Sequence, residues 1–134
     1  MTILEKPEFK DLNEEIIKSK DHILGLKNNW DGEGSKQFKK ETLDLATNHL
    51  QKLSQRFFEA YKLIIHTPNI RPVADLSIDI QWKTEKMELT INFSEEFINL
   101  PSFYGKDNEA NEIQGILERK KIPLVIFPWL KSVQ

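Results

Sequence analysis

The chain has no cysteine. That absence excludes disulfides, thiolate nucleophiles and cysteine-ligated zinc. Concentrated positive charge is missing too: Lys and Arg total 19 against 21 Asp and Glu, for a formal net charge of -2. Met1 to His66 carries 11 basic and 11 acidic residues and Thr67 to Gln134 carries 8 and 10, so neither half has the basic footprint of a nucleic-acid binder. The longest apolar run, Ile122 to Leu130, is interrupted by Pro123 and Pro128 and falls far short of the ~20 residues of a membrane span. Met1-Thr2-Ile3-Leu4-Glu5-Lys6 lacks an apolar signal core. These features lead us to expect a cytoplasmic protein that does not engage membranes. Its 134 residues suit one domain with a hydrophobic core.

Catalytic signatures are also absent. His22, His49 and His66 have no ligand spacing such as i, i+4. There is no Gly-x-Ser-x-Gly and no Ser-x-x-Lys. Gly32-Glu33-Gly34 lacks both the preceding strand and the following Lys-Ser/Thr of a phosphate loop. We therefore assign no catalytic residue, no metal ligand and no cofactor.

What is present is a clear change of period. Phe9, Leu12, Ile16, Ile23 and Leu26 recur at helical spacing, with Ser19 on the same stripe. They predict a first helix from about Glu8 to Leu26. Leu43, Ala46, Leu50, Leu53, Phe57, Ala60 or Tyr61, and Ile64 predict a second from about Lys40 to Ile65. Its start is not ideal, since Lys39 and Lys40 stand where Ser or Asp would cap. The two read as an antiparallel hairpin over residues 8–65. His66 to Pro72 reads as a rigid connector, because Pro68 and Pro72 disfavour helix and sheet alike.

Beyond it the period becomes two. Leu76, Ile78, Ile80 and Trp82 alternate with Asp75, Ser77, Asp79 and Gln81, and Met87, Leu89, Ile91 and Phe93 alternate with Glu88, Thr90 and Asn92. This is an antiparallel hairpin with one dry and one wet face. Phe97 to Gly105 suggests a third, irregular strand broken near Pro101. Glu112 to Leu117 fits a helix through Ile113, Ile116 and Leu117, or a strand through Ile113, Gly115 and Leu117. The turn-like Lys106 to Asn111 before it favours a fourth strand. Ile122 to Leu130 then lies as an edge or extended arm, constrained by its prolines. The expected architecture is a two-layer α+β domain: a helical hairpin on an antiparallel meander of three to four strands spanning residues 73–130.

Between the helices stands Asn29-Trp30-Asp31-Gly32-Glu33-Gly34. In the structural reading, Trp30 plugs the end of the hairpin and Asp31 accepts hydrogen bonds from local N–H groups. Gly32 or Gly34 takes a positive φ and stops the helix. In the functional reading, Asp31 and Glu33 offer carboxylates to a ligand beside Trp30. This loop, with Ser35 after it, resembles the signature of small uncharacterised bacterial proteins in which Asn-Trp-Asp-Gly-x-Gly-Ala/Ser precedes a helix. A Pro-rich connector and a strand ending in Trp follow there, matched here by Pro68, Pro72 and Ile78 to Trp82. Such proteins occur near mobile-element, phage-related and toxin–antitoxin-like genes. The resemblance implies a partner-binding role, antitoxin-like or mobile-element-associated.

Two surfaces are candidates for function. Phe103, Tyr104, Phe127 and Trp129, with Phe97 and Pro101, Pro123 and Pro128, form an aromatic and proline-rich last third. They serve either as a protein-binding patch or to close the core. Asp75 and Asp79, on the wet face of one strand with Glu88 across from them, are a candidate metal or acid/base set. The favoured expectation is a non-enzymatic protein-interaction module that binds a protein partner or itself. The alternative is a small-ligand or metal-dependent enzyme using Asp31 and Glu33, or Asp75 and Asp79.

Overall fold

The computed structural model describes residues 5–96, 100–117 and 124–133. Phe97 and Pro123, both part of the expected aromatic and proline-rich last third, lie outside them. A single 3-10 turn, Pro7–Phe9, leads into α1, Lys10–Leu24. Pro7 opens the turn because its missing N–H would have no partner there. The stripe Phe9, Leu12, Ile16, Ser19 and Ile23 is buried. α1 ends at Gly25, which has an ordinary helical φ of -79°. Gly32 and Gly34, both at positive φ, therefore do not stop this helix; they shape the loop beyond it.

α2 spans Lys40–Tyr61 and buries Leu43, Ala46, Leu50, Leu53 and Phe57. It stops short of the expected Ile65 because Lys62 turns left-handed at φ 56° and its N–H bonds back to the Phe58 carbonyl at 2.8 Å. Lys39 makes no cap hydrogen bond; its ammonium pairs with Glu95 instead. The expected helical hairpin is not realised. α1 lies mainly against the first strand and α2 against the second and third, so each helix covers its own part of the sheet. The two meet through a Lys20–Asp44 ion pair of 2.8 Å.

The sheet has five strands, not three or four: β1 (Asn69–Pro72), β2 (Ile78–Lys83), β3 (Met87–Phe93), β4 (Ser102–Asp107) and β5 (Glu112–Ile116), in sequential antiparallel order. Glu112 to Ile116 is thus a strand. The additional strand is β1, inside the supposed connector. Its tolerance of proline follows from the register. Asn69 pairs with Gln81 and Arg71 with Asp79, and the Val73 N–H bonds to the Ser77 carbonyl. The ladder bonds therefore belong to residues 69, 71 and 73. The position of Pro72 faces away from β2, so its missing N–H costs no sheet bond. β2 begins two residues later than the alternation suggested, because Leu76 sits in the hairpin turn at φ 69°.

The inner face stacks Ile70, Ile80, Ile91 and Phe103 in one row, and Trp82 and Leu89 in the next. All are buried, at roughly 1.5–3 kcal/mol per large side chain. Trp82 keeps its indole N–H satisfied through the His66 carbonyl at 2.6 Å. The C-terminal segment is not an extended arm. It forms a 3-10 turn, Leu124–Ile126, and a short helix, α3, Phe127–Ser132. Pro128 fits because it stands in the first turn, where its N–H would have no acceptor. Phe127 packs edge-on against Phe57 and Tyr61. Trp129 lies over Gly105, where an added Cβ would come within 3.3 Å of its ring. No helix among the described residues is long and apolar enough to cross a membrane.

Candidate functional site

The loop after α1 is knotted to itself. Asn29, at φ 63°, anchors it: its N–H bonds to the Ser35 carbonyl, its carbonyl accepts from Gly32, and its Oδ1 accepts from Gly34. Asp31 Oδ1 accepts from the N–H groups of Glu33 and Ser35, and its Oδ2 accepts the Ser35 hydroxyl. The Ser35 hydroxyl and then the Glu33 N–H hold the Asp31 carboxyl below its ordinary range. Trp30 donates to the Lys36 carbonyl at 3.1 Å and tilts against Phe38. It is half-buried, packed against the core rather than exposed as a stacking wall.

The same serine reaches a second loop, with its hydroxyl 3.3 Å from the Ala74 carbonyl. Asp31, Glu33, Gly34, Ser35 and Lys36 thereby face Ala74, Asp75 and Leu76 across a cleft of about 530 Å³. Asp75 is in the β1–β2 turn, not on a strand. Its Oδ1 accepts from the N–H and hydroxyl of Ser77, which lower its pKa. The structure therefore brings Asp31 and Glu33 towards Asp75, and it links Asp75 to Asp79 through Ser77 and Asn92, whose amide donates to both the Ser77 hydroxyl and Asp79. Asp79 lies on β2 and accepts from the Asn92 amide at 2.7 Å. Glu88 stands opposite Lys83, not Asp79, and accepts from Gln81. Among the described residues no group of three or more His, Asp or Glu side chains could hold a metal ion. In the cleft Asp31 and Asp75 are engaged in holding their own turns, which leaves Glu33 and Lys36 to meet a ligand.

The aromatic set does not form one surface. Phe103 and Phe127 are buried in the core, Trp129 is half-buried and Tyr104 alone is exposed. Phe103 fills the space over Gly115, where a Cβ would stand 2.9 Å from its ring. The expected four-residue patch is thus divided between core and surface, as the strand alternation dictates: Tyr104 points to the outer face and Phe103 to the inner.

An apolar surface exists beside Tyr104, built from residues with no aromatic signal. Ile116 is 62% exposed and Leu100 is 48% exposed. Ile116 stands opposite Ser102, one diagonal from Tyr104 on the outer face. It also belongs to an open strand edge. The Leu117 N–H bonds to the Pro101 carbonyl and the Asp107 N–H to the Asn111 carbonyl, which fixes residues 111, 113, 115 and 117 as those bonded to β4. The backbone N–H and C=O groups of Glu112, Gln114 and Ile116 point the other way, and among the described residues no strand pairs with them. Only the alternation of Ile113 and Gly115 hinted at this edge in the sequence.

No known protein family, characterised protein or solved structure matches this chain.

Proposed function

We propose that this protein is a non-enzymatic interaction module whose contact surface is the open side of β5, flanked by Ile116, Leu100 and Tyr104. The observation that carries this reading is the coincidence of unpaired strand polar groups with exposed apolar side chains on one edge. An extended partner segment adds there as a further strand, main-chain bonds supplying affinity and Ile116 supplying an apolar anchor. An antitoxin-like or mobile-element-associated partner is the specific form implied by the loop resemblance. The test is affinity capture from the native host by the tagged chain, compared with Ile116→Glu. A stoichiometric protein held by the parent chain and lost by the variant supports the module; equal capture by both removes β5 as its surface.

The alternative, a small-ligand site, is favoured by the cleft between the Asp31 loop and the Asp75 turn. It predicts a rise in melting temperature with Mg²⁺, Mn²⁺, Ca²⁺ or nucleotides at millimolar concentration. No rise with any of them counts against it.

A further inference from the structure

The two edges of the sheet differ. β1 has four residues, ends in Pro72 and carries Arg71, devices that discourage pairing. β5 has no proline and no lysine or arginine, and it directs the polar groups of Glu112, Gln114 and Ile116 outward. Its five residues are also compatible with their own reversal. In an antiparallel pairing of two β5 strands about Gln114, Glu112 of each copy stands opposite Ile116 of the other, and Gln114 opposite Gln114. The outward-pointing residues fall opposite one another, as hydrogen-bonded pairs require. The two Glu112 carboxylates are four residues apart along the strand, roughly 13 Å, so no like charges face each other. On the inner face Ile113 of one copy falls opposite Gly115 of the other, whose surface there is the Phe103 ring that covers that glycine. On the outer face the aliphatic stem of Glu112 covers the exposed Ile116.

We infer that the occupant of this edge is a second copy of the chain, joined β5 to β5 about a two-fold axis to give a continuous sheet. The inference rests on the reading of β5 as the contact surface and narrows it to self-association. A five-residue strand pair is a small interface, so the dissociation constant should be on the order of tens to hundreds of micromolar.

The deciding experiment is light scattering and sedimentation of the full chain over about 10 μM to 1 mM, with Gln114→Pro and Ile116→Glu beside it, the latter placing a carboxylate opposite Glu112 of the other copy. The Gln114 N–H is not used by β4, so proline there spares the fold while removing a bond of the new pair. The expected result is a monomer–dimer equilibrium that both variants shift at least tenfold towards monomer, with parental circular dichroism and melting temperature at low concentration. Amide exchange at 112, 114 and 116 should slow as concentration rises, while 113 and 115 stay protected throughout. If Gln114→Pro does not fold, Ile116→Glu and the exchange pattern decide. A parent chain monomeric at about 1 mM overturns the inference, as does a dimer indifferent to both substitutions. A monomeric parent that still captures a host protein through Ile116 overturns self-pairing but leaves the interaction module standing. If Ile116→Glu alters neither, the contact surface itself is wrong.

Discussion

Gly115 and His49 show how much single positions carry. A methyl group at Gly115 would sit 2.9 Å from two atoms of the Phe103 ring. Gly115→Ala should therefore cost about 1–3 kcal/mol by overpacking, read as a lower urea midpoint with an unchanged slope. Phe103→Leu in the same background should recover part of the loss. His49 lies edge-on to Phe93 with its Nδ1 buried and unpartnered among the described residues. Burial, and then the nearby Lys52 charge, push its pKa below the ordinary 6.5. The unfolded chain thus takes up this proton first as the pH falls. Stability should decline from about pH 6.5 down to the depressed folded value, and His49→Gln should flatten that limb of a melting-temperature profile. Asp31 and Asp75, both lowered, act at more acidic pH: their stabilising bonds persist above the ordinary 3.8 and are lost as the pH falls through the folded values. Asp31→Ala should lower the melting temperature and remove part of this acid limb.

Element boundaries followed hydrogen-bond direction more closely than composition. Pro72 is accepted in β1 because its nitrogen faces outward, and the neighbouring position is the control. Arg71 sits in a bonded pair with Asp79, so Arg71→Pro should strip a ladder bond and cost about 1–3 kcal/mol, while Pro72→Ala should change stability little. Hydrogen exchange across β1 and β2 would separate the two. The helices and the β2–β3 hairpin were legible because their buried faces repeat at 3.6 and 2, and burial enforces those repeats. β1 was not legible, since a four-residue edge strand with one buried isoleucine has no period to read. α3 was misread because its prolines suggested extension, whereas Pro128 occupies the one turn of a helix that needs no N–H. The Asn29-to-Ser35 loop was legible as a structural device, with Asp31 fastening it, but its reach to Ala74 was not. That contact links positions separated by 39 residues, and no local pattern encodes it.

For the whole molecule, α3 closes the core from outside the meander. Phe127 rests on Phe57 and Tyr61 and is buried, as are Ile126 and Leu130. Phe127→Ala should cost about 3–5 kcal/mol, a large share of the ~5–15 kcal/mol that stabilises a protein of this size. Chemical denaturation would show it, and dye binding to newly exposed apolar surface should rise. The architecture was foreseeable as helices on one face of an antiparallel sheet, but not the division of labour between α1 and α2, which depends on where β1 lies. The inequality of the sheet's two edges bears finally on how far assembly can run. A strand stack propagates only if each added copy offers a fresh acceptor at its far side. Here the far side is β1, terminated by Pro72, so two joined copies present only blunted ends. Association through β5, as proposed, would be self-terminating at two, and the chain should then form no thioflavin-positive fibrils at the concentrations of that equilibrium.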